Sequence, residues 1–153
     1  MAAESRFGAG ALVNDYGRES PSTSELVREH LYRDAAAAWR FYEACEEREV
    51  TLLGGHVPAW RFVPGVGVGK TVVFLREPLE RLLSEYRHFV RHNGYEGSFR
   101  SFYRKPAMIN RQTSVLAGLP HEALGVVGLT ERYSDSLELV NAAFGWSLLE
   151  RMD

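Results

Sequence analysis

An α/β domain with a small parallel sheet flanked by helices is the fold class this sequence predicts. Three observations carry it. Thr71-Val72-Val73-Phe74-Leu75 is an uninterrupted run of β-branched and aromatic residues, the pattern of a strand covered on both faces in a parallel sheet. Pro78 follows at once and opens a segment where Leu79, Leu82, Leu83, Tyr86 and Phe89 recur at helical spacing. Short strand patterns and helical patterns alternate along the chain, as they do when crossover helices join parallel strands.

Taken in order, Ala11-Leu12-Val13 is an apolar island that reads as one short strand or as loop. Ser22 with Glu25 three residues later fits a capping box, and a helix is expected through Leu26, His30, Leu31, Ala35 and Ala38. Phe41 to Glu49 reads as a second, turn-rich segment. Val50 to Leu53 is a short buried strand ended by Gly54-Gly55, and the Pro- and Gly-containing stretch from His56 to Gly69 reads as loop. After the Pro78 helix, Asn93-Gly94 is the stop signal. Ser98 to Tyr103 and Arg111 to Ala117 read as short helices. Gly125 to Leu129 is a last strand. Asp135 with Glu138 makes a second capping box, ahead of an apolar stripe at Leu137, Val140, Phe144 and Leu148.

With 153 residues, the chain is expected to form one domain over 1–153. Apolar residues are 45% and charged residues 25%, which excludes a disordered chain. A net charge of −2 offers no global field for nucleic acid or an anionic membrane, so neither is expected as a partner. The charge is unevenly spread, however. From Arg76 to Arg111 there are seven Arg and one Lys against four Glu, while both ends of the chain are acidic. That basic middle is either a local anion site or a solvated helix face. Cys45 is the single cysteine, so no internal disulfide is available, and its apolar-periodic surroundings suggest a buried thiol. With neither a signal peptide nor a membrane-length apolar run, a cytoplasmic location is expected.

Arg76 lies just past the carboxyl end of the clearest strand, where open α/β sheets bind ligands. Ser84 lies about two turns along the helix that follows, at 3.6 residues per turn. A guanidinium and a hydroxyl near a helix start form a phosphate receptor. The competing reading has Arg76 paired with a surface Glu and Ser84 as an ordinary helix residue. His88 and His92 have zincin-like spacing, but position 89 is Phe where that pattern requires Glu, so no metal is expected.

The segment FLREPLERLLSEYRHF resembles the donor-binding motif of sulfotransferases that use 3′-phosphoadenosine 5′-phosphosulfate (PAPS). The likeness is to the carbohydrate and bacterial branch related to heparan sulfate 2-O-sulfotransferases. It continues through Asn110-Arg111-Gln112-Thr113, Leu116-Ala117-Gly118, Gly128 to Tyr133 and Ser136 to Leu139, covering roughly Gly55 to Trp146. The resemblance implies that Arg76 and Ser84 bind the donor 3′-phosphate and that Arg111 meets that phosphate or an anionic acceptor. It implies that His56, in Leu53-Gly54-Gly55-His56, is the base for the acceptor hydroxyl; Gly54 stands where the family has a first histidine.

A complete member of that family begins with a strand, a Lys- and Gly-rich loop that holds the 5′-phosphosulfate, and a helix. The sequence here contains no such segment, so the implied fold is a P-loop-like sulfotransferase fold lacking its first strand-loop-helix. GVGVGKT, ending at Lys70-Thr71, is not a substitute: Pro64 stands where the first Gly is needed, and the element precedes a strand instead of a helix. Two functional readings follow. One is a sulfotransferase moving a sulfuryl group from PAPS to a hydroxyl-bearing small molecule or glycan. The other is a non-catalytic domain that keeps only the 3′-phosphate site and offers the surface left by the lost elements to a homodimer.

Overall fold

Among the described residues, four short strands pair two by two. The computed structural model of the chain describes residues 8–33 and 38–149. In it β1 (Leu12–Asp15) runs parallel to β2 (Leu52–Gly55), with Leu12 opposite Leu52 and Asp15 opposite Gly55. β3 (Val72–Leu75) runs parallel to β4 (Val126–Leu129), with Phe74 opposite Gly128. The architecture is mixed α/β, but the parallel strands form two separate two-stranded sheets where one small sheet was expected.

Seven helices flank these sheets among the described residues. They are α1 (Glu25–Val27, continued by a wider turn over Arg28–Tyr32), α2 (Trp39–Glu47), α3 (Val63–Val66), α4 (Pro78–His92), α5 (Phe99–Tyr103), α6 (Arg111–Leu116) and α7 (Tyr133–Phe144). The first start signal is misassigned by sequence. Ser22 sits in a turn, and Ser24 is the N-cap residue of α1. The Ser24 hydroxyl accepts the Asn14 N–H at 2.9 Å, which fastens the helix start to β1. Ala35 lies outside the described residues. The expected turn-rich segment after Phe41 is instead helix α2, which buries Phe41 and Cys45 one turn apart and turns Glu43, Glu46 and Glu47 outward. The stretch from His56 to Gly69 is also more ordered than expected, coiling into short turns at Ala59–Arg61 and Val68–Lys70 around α3.

The first sheet and its helices enclose the main core of Val13, Leu26, Val27, Phe41, Cys45 and Phe62. In the other half, Phe102 of α5 is fully buried among the rings of Tyr86, Phe89 and Tyr95. Val126, Leu137 and Val140 are buried where α7 packs on β4. The Ser136 hydroxyl accepts the Leu129 N–H at 2.9 Å and joins that helix to the strand. This contact needs Gly128: a Cβ there would lie 2.9 Å from Phe74 Cε1 and 2.9 Å from Ser136 Cβ. Asp135 does not cap α7, which starts two residues earlier. Instead Asp135 accepts the Arg132 Nε–H at 2.8 Å within the first turn. The stripe also stops short of Leu148: Gly145 adopts the left-handed conformation, φ 65°, that closes α7.

α4 follows the sequence reading closely. Pro78 is its first residue, Glu77 accepts the Glu80 N–H at 2.7 Å, and Asn93 with Gly94 ends it. β3 does not. Its apolar run predicts cover on both faces, yet Phe74 is exposed and Val72, Val73 and Leu75 are only half-buried.

Candidate functional site

The carboxyl ends of β2 and β3 meet at α6. The turn Ala59–Arg61 after β2 packs against α6, and Gln112 of α6 clasps the residue after β3. The clasp is reciprocal. The Arg76 N–H donates to Gln112 Oε1 at 2.7 Å, and Gln112 Nε2–H donates to the Arg76 carbonyl at 2.8 Å. The side chain thus supplies the pairing that a neighbouring strand would give. Asn110, at φ 49°, takes the left-handed conformation that asparagine tolerates and turns the chain into α6. Thr130 adds a bond to the Leu75 carbonyl at 3.0 Å.

Along these two strands runs a cavity of about 1300 Å³, and His56, Arg76, Ser84 and Arg111 all line it. Arg76 and Ser84 also share a side recess of about 270 Å³ with Arg87, His88, Arg91 and His92. That recess has three arginines and no carboxylate in its walls. Positions 84, 87, 88, 91 and 92 follow helical spacing, so one stripe of α4 faces it. Arg87 and Arg91 are additions to the residues singled out by sequence; the spacing from Ser84 was the available signal.

Arg76 is half-buried and weakly engaged. Its Nη2 lies 3.9 Å from Glu80 and its Nε 3.9 Å from Glu131, both at the outer limit of an ion pair. Glu131 is occupied elsewhere, accepting the Glu77 N–H at 2.8 Å. That bond, then its own N–H, then the Arg76 charge hold the Glu131 carboxyl below its usual range. The Ser84 hydroxyl is exposed and has no hydrogen-bond partner among the described residues. Arg111 Nη1 lies 3.3 Å from Glu85, whose other oxygen is held by Arg81. Two cations on one carboxylate leave net positive charge on this wall.

His56 follows β2. Its N–H donates to the Asp15 carbonyl at 3.0 Å, and its ring stands edge-on to Tyr16 at 4.9 Å. The ring nitrogens have no hydrogen-bond partner among the described residues. Beneath His56 lies a buried group that sequence gave no sign of. Asp15 is fully buried and accepts the Tyr32 hydroxyl at 2.7 Å and the Gly17 N–H at 3.0 Å. Arg61 Nε lies 2.7 Å from the other oxygen of Asp15, but without hydrogen-bond alignment, so the contact is an ion pair. The Arg61 guanidinium also covers the Tyr32 ring at 4.5 Å. Burial, then the Asp15 bond, push the Tyr32 hydroxyl pKa up.

Lys70 lines the cavity just before β3, at the end of that strand away from Arg76. Cys45 is buried, and burial pushes its thiol pKa up to about 11, which removes it as a nucleophile at neutral pH. Comparison with protein-family models, curated proteins and solved structures finds no match to this chain. The geometry can do two things chemically: receive a phosphate or sulfate at Arg76 and Ser84, and offer an imidazole to the same cavity.

Proposed function

We propose that the chain is a sulfotransferase-type domain that takes PAPS as donor and transfers its sulfuryl group to a hydroxyl, on a carbohydrate by resemblance. The observation that carries this reading is that Arg76, Ser84, His56 and Arg111 all line one cavity, and that Arg76 and Ser84 also share its side recess. Arg76, loosely paired, and Ser84, with a free hydroxyl, fit a 3′-phosphate: the first supplies a planar fork of donors, the second one more. Arg87 and Arg91 extend the positive wall toward solvent.

In this reading His56 takes the proton of the acceptor hydroxyl while that oxygen attacks sulfur. The bond from sulfur to the bridging phosphate oxygen breaks, and adenosine 3′,5′-bisphosphate leaves. In the same reading Arg111, which lines the cavity, meets the donor or an anionic acceptor.

One observation favours the second, non-catalytic reading. Arg81 and Arg111 are both engaged by Glu85, and Lys70 is at the far end of β3. No unpaired lysine among the described residues stands beside Arg76 to stabilise the leaving oxygen, a large term in such transfers.

Calorimetry with adenosine 3′,5′-bisphosphate tests the site. Charge-assisted bonds of about 1.5–3 kcal/mol predict that Arg76→Ala weakens binding by about 10- to 150-fold. Absence of wild-type binding, or an unchanged constant in the variant, overturns the reading. Turnover of PAPS by wild type and its loss in His56→Ala separates enzyme from binding domain.

A further inference from the structure

We propose that the cleft between the two sheets is a docking groove for one extended apolar segment of a separate polypeptide, which enters as a central strand between β2 and β3. The lining of the large cavity carries the argument. It takes in every residue from Val50 to Val57 and from Lys70 to Arg76, and no residue of β1 or β4. A sheet face contributes alternate residues, whereas consecutive residues mean that the strands present their edges. β2 and β3 are each paired on one side only, and their other edges look into this space. Both have their carboxyl ends at α6, so they run the same way and one strand can be parallel to both.

The walls are apolar and short of cover. Leu52, Leu53, Val72, Val73 and Leu75 are only half-buried, although the run of β3 is that of an interior strand. α4, with fifteen residues and a strong apolar stripe, has no buried residue at all. The cavity, about 1300 Å³, leaves room beyond the roughly 300–1,000 Å³ that a small-molecule site fills.

The occupant is a polypeptide strand because unpaired backbone edges are satisfied by backbone. Among the described residues all four strands are four residues long and already paired, so these residues of a second copy have no strand to spare, and the occupant we commit to is a segment of a separate chain. Matching β3 in length, about 13 Å at roughly 3.3 Å per residue, calls for four or five consecutive Val, Ile, Leu or Ala residues.

The test is selection from a phage-displayed library of eight-residue peptides, five central positions restricted to Val, Ile, Leu, Phe and Ala, on the full chain. Hydrogen exchange is then followed with the best synthetic peptide. The expected result is at least tenfold slower exchange of amides in Leu52–Gly55 and Val72–Leu75, with binding lost in Val73→Asp. Hydrogen exchange of the variant without peptide shows that it is folded; if it is not, Phe74→Glu replaces it. No enrichment over an all-polar library, or protection mapping elsewhere, overturns the proposal. Concentration-dependent dimerisation that protects the same amides without peptide overturns it in favour of a second copy. Nucleotide binding enters none of these outcomes, so this inference and the proposed function fail separately.

Discussion

Gln112 spends its whole amide on one residue, and Gln112→Met removes both hydrogen bonds while keeping the length of the side chain. The bonds are short, 2.7 and 2.8 Å, and partly shielded from water. At about 0.5–1.5 kcal/mol each, their joint loss destabilises the fold by about 2 kcal/mol. For a domain of this size, about 2–4 °C per kcal/mol translates that into a fall in Tm of about 4–8 °C. The effect on ligand binding is separate. Releasing the backbone of Arg76 means that it must be ordered again on binding, at about 1–2 kcal/mol, so adenosine 3′,5′-bisphosphate affinity drops about 5- to 30-fold. Gln112→Glu gives a second readout. It sets a carboxylate against the Arg76 carbonyl, which raises its folded pKa, so its Tm deficit is large at pH 7, shrinks as the pH falls toward the free carboxyl value of about 4.3, and is gone below it. Differential scanning fluorimetry across pH and calorimetry at pH 7 make these measurements. A Gln112→Met protein that melts within one degree of wild type, with unchanged affinity, would refute the reasoning, because water would then replace the clasp without loss.

Two further outcomes are expected from buried positions. Gly55→Ala places a methyl 2.0 Å from the Asp15 carbonyl oxygen, across the β1–β2 pair, and is expected to cost about 3 kcal/mol or more, read as an early urea midpoint. A midpoint within error of wild type would show that the two strands are not in this register. Cys45, with its thiol near 11, reacts with a thiol reagent at pH 8 at least a hundredfold more slowly than an exposed cysteine, and its rate climbs about tenfold per pH unit from 7 to 9. Because folding raises this thiol's value, its contribution is intact at neutral pH and lost as pH rises from the unfolded value toward 11. A rate that levels off near pH 9 contradicts the burial.

What the sequence disclosed was local. Val72–Leu75 and Pro78–His92 were legible because a β-branched run, a proline and an Asn-Gly stop act within their own segments. Ser22 misled because capping patterns ignore tertiary partners, and Ser24 is held by Asn14, ten residues away. α2 was missed because its glutamates hide a buried pair, Phe41 and Cys45, at helical spacing. The division into two sheets could not be read, since nothing in a strand's own residues says which edge is paired. Arg76 and Ser84, expected at a strand end and two turns along the next helix, line one cavity. Gln112, thirty-six positions from Arg76, and the buried Asp15 with Arg61 and Tyr32 join segments that only folding brings together.

Asp15 grips both feet of the arch formed by residues 56–61, the first through its carbonyl to His56 and the second through its carboxylate to Arg61. An arch pinned at both ends to one residue cannot hinge away from the sheet; its imidazole is free to swivel but not to travel. Since Tyr32 leans on the same carboxylate, any shift of the turn after α1 is felt at the arch. The backbone of the histidine is therefore held from behind, by a residue whose carboxylate never meets solvent.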